Sequence, residues 1–371
     1  MGADAEASVG AKRETAAEHI LVAAVEAAGT ITLNRKGAHN QLTRPMRAAI
    51  AQAIVGWTRD PEIYAVLMQS AIDGEFCAGR DVAELEHAAR KEPAQARASL
   101  AGEYALTWAL ECFTKPTISL IDGSAMGSGV AISLYGTHRV AGERYRFAMP
   151  ATAIGLVPDN GVGWAFARMP AEIGMYLALT GRSVGRADAY RLGLATHCIA
   201  GSRFGEIRSQ IAAAEPVDQV LDRWHEDPGA GELEELGPAI ARCFGAGGLE
   251  AILERLRAER ACKAWADGVV GDLNQRSPMA LKITHRHVRQ AANLDVRSTL
   301  INDFRLAWRC LEGHDFYEGV RGMLNIADLA PRWRPARLED VSEAMVDGYF
   351  AGLGGEELQL ATRSEMQAFK R

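Results

Sequence analysis

The stretch from Thr114 to Arg168 constrains the fold more than any other part of this chain. An apolar run, Thr117 to Ile121, ends in the turn dipeptide Asp122-Gly123, and a glycine-rich knot, Met126-Gly127-Ser128-Gly129, then opens a run of helical character. A second apolar strand, a second loop (Val157-Pro158-Asp159-Asn160-Gly161) and a second helix start follow. Two strand-to-helix transitions with glycines at the junctions bring two sets of free main-chain N–H groups into one small region. Such groups suit a developing negative charge.

The segments upstream obey the same alternation. Ile20 to Val25 and Thr30 to Asn34 are β-rich runs around Ala27-Ala28-Gly29, which predicts a hairpin. From Thr43 to Trp57 the positions Met46, Ala49, Ile50, Ala53, Ile54 and Trp57 form a helical stripe, with Thr43 as N-cap and Pro45 in the first turn. A strand over Ala65 to Gln69 leads through Gly74-Glu75-Phe76-Cys77-Ala78-Gly79-Arg80-Asp81 to helices over Val82 to Arg90 and Ala98 to Cys112. The order predicts an α/β class with largely buried strands.

Beyond Arg168 the character changes. Ala171 to Thr180 and Arg186 to Leu192 read as short helices, and few strand-like runs remain after Ile199. Ala214 to Gly248, rich in acid, Gly and Pro, predicts a loosely ordered insertion. Leu249 to Ala266, Pro278 to Ala292 and Arg297 to Glu312 predict a helical tail, closed by a Pro/Trp turn, Pro331-Arg332-Trp333-Arg334-Pro335, packed on the core. The expected organisation is a loosely ordered tail over 1–18, an α/β core over 19–200 and a helical C-terminal region over 201–371.

Charge and composition remove several function classes. A net charge of −6 and a pI near 5.9 argue against a nucleic-acid partner, because phosphate neutralisation needs a basic stripe. No apolar run approaches the roughly 20 residues of a membrane span, and Met1 to Glu18 has neither signal nor transit character. Six cysteines (Cys77, Cys112, Cys198, Cys243, Cys262, Cys310) lie far apart without CxxC spacing. That predicts no metal site, no disulfide framework and a cytoplasmic location. His138, His197 and His314 are scattered, and fit neither a Ser/His/Asp order nor HExxH.

Four residues carry candidate chemistry. Gly79-Arg80 and Gly127-Ser128-Gly129 each follow a strand and precede a helix. Singly each is a tight turn; together, the N–H groups of Arg80 and Ser128 can converge on one oxygen. The spacing fits neither a Rossmann nor a P-loop fingerprint. Asp159 reads either as a helix N-cap or Asx-turn or as a carboxylate at the lip of an apolar loop. Glu103 falls mid-helix, where a solvated face is the ordinary reading.

These letters resemble a family. Glu75-Phe76-Cys77-Ala78-Gly79-Arg80-Asp81, Met126-Gly127-Ser128-Gly129 and Gly155-Leu156-Val157-Pro158-Asp159 look like the crotonase (enoyl-CoA hydratase/isomerase) superfamily. Within it the resemblance is strongest to the 3-hydroxyisobutyryl-CoA hydrolase branch. The run Met149 to Asp159, the pair Ala178-Leu179-Thr180-Gly181 and Gly193 to His197, Ser277 to Thr284, and Gly313 to Arg321 carry it, and it covers nearly the whole chain after about His19. It implies a crotonase-type spiral of ββα units with a helical C-terminal subdomain, acting on an acyl-CoA thioester without a further cofactor. A homo-oligomer also fits, of a size the sequence does not set. The matching positions imply an oxyanion hole from the N–H groups of Arg80 and Ser128, with Asp159 and Glu103 as acid/base residues.

One position departs from the pattern. Where the hydrolases carry a glutamate in M-P-x-T, this chain has Ala151, and Ser128 replaces a usual glycine. The site of the second hydratase glutamate is apolar, Val130-Ala131. Polarisation through main chain survives these changes, whereas a lost acid/base group typically removes about 10²–10⁴-fold. The readings left open are a hydrolase in which Asp159 takes over with help from Glu103, which is the expected one, another crotonase reaction such as hydration or isomerisation, and a weakly active acyl-CoA binder. Trp108, Trp164 and Phe166 are candidates for an acyl-pocket wall.

Overall fold

The computed structural model describes residues 16–245, 247–324 and 330–368. The tail expected over 1–18 therefore lies almost wholly outside the described residues. Its end is a helical turn, Ala16–His19, leading into the first strand.

Among the described residues, ten strands form two sheets. They are β1 (Ile20–Val25), β2 (Ala28–Leu33), β3 (Ala65–Ser70), β4 (Glu75–Cys77), β5 (Thr117–Ile121), β6 (Ser124–Met126), β7 (His138–Ala141), β8 (Arg146–Ala148), β9 (Val184–Gly185) and β10 (His197–Cys198). One sheet has the order β1-β2-β3-β5-β7-β10 and the other β4-β6-β8-β9. Between the β1/β2 hairpin and the closing β8/β9 pair, both antiparallel, every pairing is parallel. The chain passes from β3 to β4, β5 to β6 and β7 to β8, stepping each time from the first sheet to the second. Helical segments return it to the first sheet after β4 and β6; after β8 it returns only by way of β9 and the helix Arg186–Arg191. This is the expected crotonase-type spiral of ββα turns. All five residues of β5 are buried, as parallel strands covered on both faces require.

The C-terminal helices pack back on this spiral. Phe304 meets Tyr104 edge to face, with ring centroids 6.2 Å apart, in a core shared by the helices Pro93–Cys112 and Val296–Glu312. Burying a side chain of that size contributes about 1.5–3 kcal/mol. No described strand follows Cys198, and no helix among the described residues is long and apolar enough to cross a membrane.

Several expected boundaries shift, each for a local reason. The first hairpin turns at Glu26-Ala27, and Ala28 and Gly29 already belong to β2. Gly29 sits inside the strand because a Cβ there would lie 2.7 Å from the Trp57 ring. The second long helix starts at Pro93, five residues before the expected Ala98, since proline suits a first helical turn. The insertion expected over Ala214 to Gly248 is largely helical, as Val217–Trp224 and Glu232–Phe244. Buried stripes there (Val217, Val220, Leu221; Leu233, Ile240, Phe244) outweigh the turn-forming letters between them. The helix expected over Leu249 to Ala266 is instead two, Leu249–Ala258 and Lys263–Gln275. The Pro/Trp turn does pack on the core: Trp333 is buried, and its indole N–H donates to Gln275 O at 3.1 Å.

Candidate active site

Arg80 follows β4 and forms a parallel bridge with Leu42. The bridge bonds run from Leu42 N–H to Gly79 O at 2.7 Å and from Asp81 N–H to Leu42 O at 3.1 Å, which turns the N–H of Arg80 away from the bridge. Ser128 opens the helix Ser128–Leu134, where first-turn N–H groups have no partner within the helix. Neither N–H finds an acceptor among the described residues.

Glycine lets the two turns touch. Gly79 has φ +98°, and a Cβ there would lie 2.9 Å from Met126 O and 3.3 Å from Ser128 N. Gly127 has φ +49° and faces the Gly79 Cα. Any side chain at 79 would push the donors apart.

Both turns open onto a cavity of about 1110 Å³, lined also by Ala151, Leu156, Asp159 and Trp333. Asp159 is the only carboxylate among its described lining residues, and Arg276 and Arg332 add positive charge. Asp159 does not cap the helix Val162–Phe166, which starts from Gly161. Its Oδ2 accepts hydrogen bonds from Arg80 Nη2 (2.7 Å) and the Tyr104 hydroxyl (2.8 Å), and its Oδ1 from Asn160 Nδ2 (3.1 Å).

Glu103 lies behind this surface and is not among the residues lining the cavity. Its helix turns it inward, not onto a solvated face, and it is 3% exposed. It accepts from Arg80 Nε at 2.8 Å, Arg80 Nη2 at 2.9 Å, Asn160 Nδ2 at 2.9 Å and the Ser128 hydroxyl, with Arg47 Nε at 3.6 Å. Burial works to raise this carboxyl. The charges of Arg80 and Arg47 and the hydrogen bonds from Arg80 and Ser128 outweigh it, and bring the group down to about 2. For Arg80 burial opposes the charged form, but Asp159 and Glu103 hold its pKa well above the ordinary value. Burial, reinforced by Asp159, pushes the Tyr104 phenol up.

The structure thus brings together Arg80, Ser128, Asp159 and Glu103, with Ala151 on the same cavity wall. Sequence reasoning missed the Arg80 side chain, along with Arg47, Tyr104 and Asn160. A buried arginine bridging two carboxylates leaves no local signal, because its partners lie 23 and 79 residues away. Trp108, Trp164 and Phe166 are not among the lining residues. The Trp108 indole donates to Ala361 O, Trp164 stacks under Arg168 at 4.2 Å, and Phe166 packs on Phe147.

A family model described as enoyl-CoA hydratase/isomerase matches residues 28–350. The chain belongs to the enoyl-CoA hydratase/isomerase family. Similar proteins include the mitochondrial 3-hydroxyisobutyryl-CoA hydrolases of Xenopus tropicalis and Homo sapiens. The frog protein is 36% identical over 343 residues, spanning 90% of this chain and 89% of its own length. The human one is 35% identical over 358 residues, spanning 94% and 92%. Among solved structures, a carnitinyl-CoA dehydratase from Mycobacterium thermoresistibile is similar at TM-score 0.87 and 35% identity, covering 92% of this chain and 98% of that one. An enoyl-CoA hydratase from Rhodobacter sphaeroides 2.4.1 is similar at TM-score 0.86 and 32% identity, covering 92% and 100%.

Proposed function

We propose that the protein hydrolyses the CoA thioester of a short acyl group of the 3-hydroxyacyl type. The observation that carries this reading is the cavity wall, where two unpartnered main-chain N–H groups, of Arg80 and Ser128, share a surface with the carboxylate of Asp159. Relatives named as such hydrolases, similar over nine-tenths of the chain, support it.

The steps balance as follows. A carboxylate offers about four acceptor sites; three on Asp159 are occupied, which leaves one for a water molecule. Asp159 takes a proton from that water as its oxygen bonds to the thioester carbon. The carbonyl oxygen becomes negative and is received by the N–H groups of Arg80 and Ser128, each such donor contributing about 3–4 kcal/mol to the transition state. The C–S bond breaks, and Asp159 returns its proton to the departing sulfur. Glu103 keeps Arg80 against Asp159 and exchanges no proton, since its oxygens are already engaged. The cavity volume, about 1110 Å³, suits a ligand larger than drug-sized molecules, and Arg276 and Arg332 offer charge to the CoA phosphates. The six free cysteines fit a reducing compartment such as the cytoplasm.

A second reading, hydration or dehydration at the acyl chain, draws support from the dehydratase and hydratase at 35% and 32% identity. One assay separates the two: purified protein with a panel of acyl-CoAs, following free thiol and the absorbance of the α,β-unsaturated thioester. Thiol release that Asp159→Asn abolishes is the expected result. Absorbance change without thiol favours the second reading, and CoA-ester binding with neither signal sinks both.

A further inference from the structure

We propose that Asp303 and His287, on the helices Val296–Glu312 and Pro278–Ala291, are positioning residues that fix Asp159 for its reaction. The proposal rests on Asp159 as the reacting carboxylate and adds how the C-terminal helices hold it.

The loop Asp159-Asn160-Gly161 makes a tight left-handed turn. Asn160 (φ +58°) and Gly161 (φ +78°) are consecutive residues in the left-handed region, which asparagine and glycine tolerate best. Two tethers hold the shape from opposite sides. Asn160 Nδ2 donates to Glu103 on the spiral, and the Gly161 N–H donates to Asp303 Oδ2 at 2.6 Å.

Asp303 is 0% exposed, and so is His287, whose Nε2 lies 2.8 Å from Asp303 Oδ1 in a contact without hydrogen-bond alignment. Burial pushes the Asp303 carboxyl up, while His287 and the Gly161 N–H oppose the rise. A carboxylate is a costly group to bury, and an apolar side chain would fill the space without that cost. Its described hydrogen bond goes to the reacting loop, one residue beyond Asn160.

The glycines of the loop show how closely this clamp fits. A Cβ at Gly163 would lie 2.5 Å from His287 Nε2, so the imidazole is wedged against the start of the helix Val162–Phe166. A Cβ at Gly161 would lie 2.2 Å from the Tyr135 hydroxyl oxygen. Neither Asp303 nor His287 is among the lining residues of the cavity, so both act through the loop.

The test compares full-length wild type with Asp303→Ala, Asp303→Leu, Asp303→Asn and His287→Gln, with Asp159→Asn as reference. The substrate is the short acyl-CoA that wild type turns over fastest, followed by thiol release or by absorbance. Asp303→Ala is expected to lower kcat at least about tenfold, as small displacements of a reacting group do, with KM within about threefold of wild type. Asp303→Asn keeps an acceptor for the Gly161 N–H and should recover most of that loss; His287→Gln should fall between. Asp303→Leu gives the same reading if the alanine variant does not fold. Wild-type kcat in a folded Ala or Leu variant overturns the proposal, as does equal impairment of Asn and Ala, or a fall in kcat matched by the rise in KM. If Asp159→Asn itself retains wild-type turnover, the assignment of Asp159 fails instead.

Discussion

Replacing Glu103 by glutamine removes one negative charge from a buried cluster and leaves the shape of the side chain almost unchanged. Arg80 Nε and Nη2 at 2.8 and 2.9 Å, and Arg47 Nε at 3.6 Å, then lose the carboxylate they face. Breaking a buried pair by removing one partner costs about 3–5 kcal/mol. The pH dependence can be worked separately. Against burial, the charges of Arg80 and Arg47 bring the Glu103 carboxyl down to about 2 from an ordinary 4.5. A carboxyl depressed on folding adds stability that is fully present above its unfolded pKa and is lost as pH falls through the folded one. That amounts to about 3 kcal/mol at pH 7, and to roughly 1 kcal/mol at pH 3. Urea unfolding of wild type and Glu103→Gln at both pH values reads the difference, and acidification of other carboxylates cancels between the two chains. The stability gap is expected to be about 3–5 kcal/mol at pH 7 and narrower by roughly 2 kcal/mol at pH 3. An equal gap at the two pH values, or none at pH 7, would refute the account of Glu103 as an ionised anchor.

Other perturbations test neighbouring parts. Ser128→Ala removes the hydroxyl that donates to Glu103 but keeps the main-chain N–H; denaturant melts should show a loss of about 1.5–3 kcal/mol, with kcat reduced less than about tenfold. Gly79→Ala places a methyl 2.9 Å from Met126 O at φ +98°, so steady-state assays should show kcat down about 10²-fold or more as one N–H leaves its place. Ala151→Glu should raise thiol release at least about tenfold if the cavity can use a second carboxylate; an unchanged rate would mean that Asp159 already supplies the step.

Much of the site was legible because its main-chain part depends on local rules. Glycine before Arg80 and before Ser128, each between a strand and a helix, marks two turns whose N–H groups could converge, and the structure puts the two turns in contact. Asp159 was visible as a loop carboxylate, but whether it capped the next helix depended on the left-handed Asn160-Gly161 turn that follows. Glu103 needed more, since nothing within a helical stretch tells a solvated face from an inward one when the partner is an arginine 23 residues earlier. The same limit hid the helices Val217–Trp224 and Glu232–Phe244. Their acids and glycines mark turns locally, while the stripes that win do so by packing against the rest of the molecule.

Arg47, Arg80, Glu103 and Asp159 together carry two positive and two negative charges when both acids are ionised. That cancellation has a dynamic consequence. In the proposed reaction, moving a water proton onto Asp159 leaves the same four side chains with one net positive charge, gained as the thioester oxygen turns negative. The field that favours the intermediate is thus switched on by the step that creates the intermediate. In that scheme the charge vanishes again when Asp159 gives the proton to sulfur, so these four side chains carry no net charge as the products leave.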